Sequence, residues 1–215
     1  EVINDPSSVK MQASLHTLIT GVGQQYQLML PDRTKIWLNS GSELKFPSSF
    51  KNLKMRKVLL QGEAYFEVAK DAGQPFVVQL TDAQEIEVLG TQFSIKTSTS
   101  QQQAVQTFLL EGRVKVKAHD DQKVLLPGQL ANSSAQGIAI QKGDAEEILD
   151  WKNGDFVFHS KRLEEVMDKL AAWYNIKVVY EADVNHQSTY SGQISRSANI
   201  SEILKSLEDT MNIRF

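Results

Sequence analysis

The sequence predicts an all-β N-terminal domain of stacked short strands, solenoid- or sandwich-like, followed by a small α+β domain of two strand–helix–strand units. Three observations carry this expectation. From about Gln25 to Ile140, short runs of Val, Ile, Leu and Phe are punctuated by Gly, Pro, Asn and Asp, as in chains built from many short strands. Beyond about residue 145 the apolar spacing changes to the helical one. Within that second part, two segments superimpose at an offset of 37 residues, Ser160 on Ser197 and Leu170 on Leu207. The expected division is a linker or juxtamembrane segment over 1–24, the all-β domain over 25–145 and the α+β domain over 150–215. A chain of 215 residues buries about 70% of its unfolded surface on folding and needs no staple.

The strands follow in order. Residues 26–30 end at Pro31-Asp32, and 35–38 end at Asn39-Ser40-Gly41. Residues 56–60 lead through Gln61-Gly62 into 64–68, and 76–80, 85–89 and 93–96 come next. Residues 104–110 lead through Glu111-Gly112 into 113–117, and 124–126 lead to Pro127-Gly128. The stretch from Val58 to Val68 lines up with that from Phe108 to Val116 at an offset of 50, each an apolar strand, a polar residue, a Gly and a second strand. The Gly lets the backbone turn or bulge between the two strands.

In the second part, 155–159 read as a strand and Ser160 as an N-cap. Leu163, Val166, Met167, Leu170, Trp173 and Tyr174 then share one helix face, and Asn175 is placed to end it in the left-handed conformation. Residues 176–181 and 188–194 read as strands, and Ser197 caps a helix carrying Ile200, Ile203, Leu204, Leu207 and Met211 that Asn212 ends. At the offset of 37, Glu165/Glu202, Asn175/Asn212 and Ile176/Ile213 are also identical, so both units share caps and core face. The last strand of the second unit should reach 218, so residues removed after 215 are expected. Trp151, Phe156, Phe158, Trp173 and Tyr174 are assigned to the core of this domain.

Composition narrows the function. The net charge of −3 offers nothing to a phosphate backbone, so no nucleic-acid partner is expected. The densest basic patch, Lys51, Lys54, Arg56 and Lys57, reads as a solvated loop entering a strand. With no cysteine there is no disulfide, thiolate metal site or cysteine nucleophile. His16, His119, His159 and His186 are scattered without metal-ligand spacing, and no phosphate loop or nucleophile elbow occurs, so no cofactor is expected. The pairs Glu85/Glu87 and Glu63/Glu67 sit at even spacing on strands and read as solvent-face residues rather than hydrolytic carboxylates. No apolar run approaches the roughly 18 residues of a membrane span. The chain opens at Glu1 without Met, so an upstream part is expected to have been removed. The residues alone give a non-enzymatic, two-domain binding module.

Several runs resemble the FecR family of sigma-factor regulators: Leu30-Pro-Asp-Arg-Thr-Lys-Ile-Trp-Leu-Asn-Ser-Gly-Ser-Glu-Leu44, Leu60-Gln-Gly-Glu-Ala-Tyr-Phe-Glu-Val68, Pro75-Phe-Val-Val, Val88-Leu-Gly-Thr-Gln-Phe93 and Leu110-Glu-Gly-Arg-Val114. Trp151-Lys-Asn-Gly-Asp-Phe-Val-Phe158, with Leu163-Glu-Glu-Val-Met167 and Trp173-Tyr-Asn-Ile176, is similar to the C-terminal domain of that family, which itself resembles the secretin/TonB short N-terminal domain. The resemblance implies the periplasmic sensor region of a single-pass inner-membrane anti-sigma factor. It would bind the signalling domain of an outer-membrane TonB-dependent transducer and control an extracytoplasmic-function sigma factor through a cytoplasmic region outside this chain. Residues 1–24 match nothing in the family pattern.

The resemblance also singles out one bond. Some members cleave themselves at a Gly-Thr bond by an N-to-O acyl shift, and Gly90-Thr91 is the matching pair here. A Thr hydroxyl after Gly can attack the preceding carbonyl, but it needs a base, and the nearest acids in sequence are Glu85 and Glu87. The plainer reading is a turn between strands 85–89 and 93–96. The competing function is a carbohydrate-binding or adhesin module, which would present exposed Trp or Tyr platforms with nearby Asp and Asn. Trp37 alternates with Ile36 and Leu38 in a strand, which leaves its ring open to either face, and the region upstream of Glu1 is what discriminates the two functions.

Overall fold

The computed structural model describes residues 14–81, 83–97, 104–181, 189–211 and 213–215. In chain order the strands begin with β1 (Leu15–Ile19), β2 (Tyr26–Met29), β3 (Lys35–Leu38), β4 (Glu43–Pro47) and β5 (Arg56–Gln61). They continue with β6 (Glu63–Glu67), β7 (Phe76–Thr81), β8 (Gln84–Val88), β9 (Gln92–Thr97) and β10 (Val105–Glu111). Next come β11 (Val114–Ala118), β12 (Asp121–Leu125), β13 (Gln129–Ser134) and β14 (Gly137–Lys142). Two single-turn helices, α1 (Ala145–Ile148) and α2 (Asp150–Asn153), lead to β15 (Asp155–Arg162), α3 (Leu163–Tyr174), β16 (Thr189–Ser195) and α4 (Ile200–Met211).

The first fourteen strands form two seven-stranded sheets, ordered β1-β4-β5-β7-β8-β11-β12 and β14-β13-β10-β9-β6-β3-β2. All neighbours are antiparallel except β5 and β7, which run parallel with Arg56 opposite Phe76. Alternation buries one face of the inner strands between the sheets: β5 reads buried, exposed, buried along its length, and Ile36, Leu44, Val58, Phe66, Val78, Phe93 and Val116 meet in one core. Phe66 and Phe93 stack at 5.0 Å. Each such side chain removed from water contributes about 1.5–3 kcal/mol, so this core dominates stability.

The repeat at an offset of 50 has a structural meaning. Gly62 and Gly112 both sit at corners where the chain leaves one sheet for the other, at φ 99 and 95. A Cβ on Gly62 would stand 2.7 Å from the Ser42 backbone, so the corner admits only Gly.

The C-terminal unit consists of β15-α3 and β16-α4, with β15 and β16 paired antiparallel. The offset of 37 holds residue for residue: α3 and α4 start at Leu163 and Ile200 and end at Tyr174 and Met211. Their buried faces, Val166, Leu170, Ile203 and Leu207, meet Phe156, Phe158 and Tyr190 in a second core.

Several expectations are corrected. β1 lies inside the stretch 1–24 assigned to a linker, and β4, β13 and β14 are further strands that the punctuation did not mark. Ser160 is not a cap: β15 runs through it to Arg162 with an irregularity between Phe158 and Lys161, and Ser160 sits at φ 51. Helix α3 starts two residues later, where the Arg162 N–H donates to the Glu165 carboxylate at 3.1 Å. Likewise α4 starts at Ile200, three residues after Ser197. Asn175 ends α3 in the left-handed conformation as expected, at φ 55, whereas Asn212 lies outside the described residues. Residues 176–180 show alternate burial but join no ladder with a described strand. Trp151 packs not into the C-terminal core but with Tyr65, Phe108, Leu130 and Leu149 on the outer face of the second sheet.

Arg56 is the largest departure. It is 1% exposed, not a member of a solvated basic loop. Its Nη1 donates to Asp32 and to the Ala69 carbonyl, and its Nε to the Gln74 carbonyl, each at 2.8 Å.

Candidate functional site

Gly90-Thr91 forms the corner between β8, in the first sheet, and β9, in the second. Gly90 has φ 148, and a Cβ there would stand 2.7 Å from Lys70 Cα. The corner is pinned on both sides: the Asp71 N–H donates to the Leu89 carbonyl at 2.9 Å and the Val68 N–H to the Thr91 carbonyl at 3.0 Å. Thr91 is buried, and its hydroxyl donates to the Arg113 carbonyl at 3.1 Å. The neighbouring corner packs directly on it, since a Cβ on Gly112 would meet Thr91 Oγ1 at 3.0 Å and the Gly90 carbonyl oxygen at 3.1 Å.

Beside the corner lies a shallow cleft of about 120 Å³ lined by Glu67, Lys70, Thr91, Gln92 and Glu111, among others. The acids named from sequence are elsewhere. Glu85 and Glu87 pair across the first sheet with Lys117 and Lys115, on its solvent face, as the even spacing implied. The carboxylates that share the cleft are Glu67, which the even spacing with Glu63 assigned to a solvent face, and Glu111, which the sequence did not single out; β6 and β10 flank β9 in the folded sheet order. The Tyr65 hydroxyl donates to Gln92 Oε1 at 2.9 Å, and Gln92 Nε2 donates to Glu111 at 3.0 Å. Burial, with Glu67 and Glu111 adding negative charge, pushes the Tyr65 hydroxyl up to about 12, so it stays a neutral donor. An acyl shift at Gly90 would require the Thr91 hydroxyl to leave Arg113 and deliver its proton into this cleft.

The same region carries the connection to the C-terminal unit. Lys152, on α2, holds its ammonium 4.6 Å from the ring centres of both Trp37 and Tyr65 and 3.9 Å from Glu67. Gln25 Nε2 donates to the Trp151 carbonyl at 3.2 Å. Asp150, 1% exposed, accepts from the Val157 N–H at 2.8 Å, from Arg196 Nη2 at 3.3 Å and from Lys169. Arg196 lies 4.1 Å over Phe156 and 4.9 Å over Trp173, and burial pulls its guanidinium down from the usual arginine value while Asp150 holds it charged.

Of the histidines, His16 lies against Phe46 and His119 occupies a turn at φ 52. His159 bonds Asp144 through Nδ1 at 2.7 Å, and His186 lies outside the described residues. Among the described residues no three His, Cys, Asp or Glu side chains are arranged to hold a metal ion, and no helix is long and apolar enough to cross a membrane. All three tryptophans are covered: Trp37 by Lys152, Trp151 in its cluster and Trp173 by Arg196.

Comparison with known proteins follows the same division of the chain. The family described as FecR protein matches residues 16–123, and the family described as FecR, C-terminal matches residues 155–215. Two crystal structures of a candidate anti-sigma factor from Parabacteroides distasonis, at 2.50 and 1.65 Å resolution, have the same fold. They superimpose with TM-scores of 0.77 and 0.76 at 26% sequence identity; the first match covers 94% of this chain and 93% of the other, and the second 93% of each. No curated protein matches the chain.

Proposed function

The chain belongs to the FecR family of anti-sigma factors, and from that premise we propose that it is the periplasmic sensor region of a single-pass inner-membrane regulator. In this reading it binds the signalling domain of an outer-membrane TonB-dependent transducer. A cytoplasmic region of the full protein then controls an extracytoplasmic-function sigma factor. The observation that supports it best is the order of the two family regions in one molecule, joined through the buried Trp151 cluster rather than by a free linker.

The fold also offers a means of recognition. Residues 176–179 follow α3 with Ile176 and Val178 half-buried, Val179 78% exposed and no ladder joined with a described strand. A segment that joins no ladder can offer main-chain donors and acceptors to an added strand, with its alternate side chains setting selectivity. The tryptophans lend the carbohydrate-binding alternative no support, because Trp151 is buried and a cation lies over each of the Trp37 and Trp173 rings.

Titrating the chain with the signalling domain of its cognate transducer, by calorimetry and by amide chemical shifts, tests the proposal. Micromolar binding with shifts centred on 176–179, weakened by Val179→Glu, is the expected result. Absence of heat and of shifts at several hundred micromolar would overturn it.

A further inference from the structure

The two ends of the β-sandwich are finished differently. At one end the edge strands β12 and β14 are tied together by charged side chains: Asp121 accepts from the Ile138 N–H at 3.0 Å, and the Lys123 ammonium donates to the Ile138 carbonyl. That is how natural sheets blunt an edge. At the other end the edges are β1 and β2, and they carry none of these devices. Leu-His-Thr-Leu-Ile and Tyr-Gln-Leu-Met contain no Lys, Arg, Asp, Glu or Pro, and their pairing with β4 and β3 is free of bulges. They and the turn between them expose Leu15 (63%), Ile19 (62%), Val22 (53%), Tyr26 (48%) and Met29 (68%).

The register of β1 specifies what its edge accepts. The Ser48 N–H donates to the Ser14 carbonyl at 2.7 Å and the Thr20 N–H to the Ser42 carbonyl at 2.9 Å, so the even-numbered residues turn their main-chain groups toward β4. In an antiparallel ladder the alternate residues, Leu15, Thr17 and Ile19, then direct their N–H and C=O groups to the open side. The side chains of these three residues lie on the outer face. The pattern is symmetric about Thr17: in an antiparallel self-pair centred there, Thr17 faces Thr17 and Leu15 faces Ile19 on both sides of the axis. Those are favourable cross-strand pairs; His16 then opposes Leu18, so no two ionisable side chains face each other in the paired strands.

We propose that this protein forms a two-fold dimer by antiparallel pairing of β1 with β1 of a second copy, joining the two seven-stranded sheets edge to edge. The occupant is a second copy because a strand with no Lys, Arg, Asp or Glu, whose outer-face residues Leu15, Thr17 and Ile19 read alike in both directions, complements itself, and such an isologous contact closes. A strand this short falls below the roughly 1,200 Å² of a standard interface, even with Val22, Tyr26 and Met29 beside it, so the dissociation constant lies in the micromolar range.

Sedimentation of the 215-residue chain from about 1 to 500 μM should show a monomer–dimer equilibrium. Thr17→Lys sets two ammonium groups against each other across the axis and should raise the dissociation constant about tenfold or more, with the melting curve of the monomer unchanged. Because the chain has no cysteine, Thr17→Cys supplies a single thiol. Directly opposed Cα atoms in a hydrogen-bonded antiparallel pair lie about 5.5 Å apart, within disulfide reach, so this variant should cross-link on oxidation. Gln122→Cys, on the tied edge β12, should not. A monomer at every concentration overturns the proposal, as does a dimer that Thr17→Lys leaves intact. If Thr17→Lys fails to fold, a Thr17→Cys chain that does not cross-link in preference to Gln122→Cys overturns it on its own.

Discussion

Replacing Arg56 tests whether a charge that sequence places on the surface is part of the fold. The guanidinium makes an ion pair with Asp32 and donates to the Ala69 and Gln74 carbonyls, and its face lies 5.5 Å from the Phe76 ring centre. Asp32 is itself held by the Thr34 N–H at 3.1 Å and the Thr34 hydroxyl at 2.7 Å, and Thr34 Oγ1 accepts from the Ala69 N–H at 3.1 Å. Arg56→Ala therefore strands a carboxylate that is only 13% exposed, releases two part-buried carbonyls and leaves a void beside Phe76. Breaking a buried ion pair costs about 3–5 kcal/mol, and each hydrogen bond to a charged group contributes about 1.5–3, terms that overlap rather than add. The expected loss is about 4 kcal/mol, a large share of the ~5–15 kcal/mol that stabilises a domain. Arg56→Met, which refills the void, should lose about half of that, and Arg56→Met in an Asp32→Ala background less still, because no unpaired charge remains. Urea unfolding followed by circular dichroism measures the losses, read at constant m-value. A loss below about 1 kcal/mol for Arg56→Ala is what a solvated surface cation would give and would refute the reasoning.

Two further outcomes are expected. The Asp144 hydrogen bond raises the His159 pKa above 6.5, so its stabilising contribution is complete below 6.5 and is lost as pH rises through the folded value; His159→Gln should remove that part of the pH dependence, and a ring titration by NMR at or below 6.5 would contradict it. Because the Thr91 hydroxyl is spent on the Arg113 carbonyl, purified protein should give one uncleaved species before and after hydroxylamine, with Thr91→Ala costing about 1 kcal/mol; fragments 1–90 and 91–215 that vanish in Thr91→Ala would overturn this.

What the sequence disclosed follows from what is local. Strands such as β5 and β9 were legible because alternate burial writes itself into alternate polarity. β13 was not, since Asn132, Ser133 and Ser134 pair within the sheet without an apolar signature, and β1 was not, since an edge strand buries almost nothing. Residues 176–180 show the reverse error: their pattern is that of a strand, but a ladder needs a partner, and no local pattern supplies one. The Gly62 and Gly112 corners were visible as a repeat, but not which sheets they join. Arg56 and Glu67 were both read as solvent-facing, and for one reason. Their partners lie on strands or loops that are distant in sequence and are brought together only by sheet order.

The same dependence on distant partners bears on how the two regions act together. If residues 144–154 were a flexible tether, a ligand on the C-terminal unit could reorient it with no cost to the sandwich. Instead Trp151 and Leu149 are buried against Tyr65 and Phe108, Lys152 caps Trp37 and Tyr65, and Asp150 fixes α2 to β15, α3 and the residue after β16. Separating these contacts would expose the aromatic cluster, at about 25 cal/mol per Å² of apolar surface, and would leave the Asp150 carboxylate among fewer donors. A partner that binds the C-terminal unit must therefore either leave the joint as it is or repack Lys152 and Trp151 as one step. The second course would also separate Lys152 from Glu67, which lines the cleft beside the Gly90-Thr91 corner.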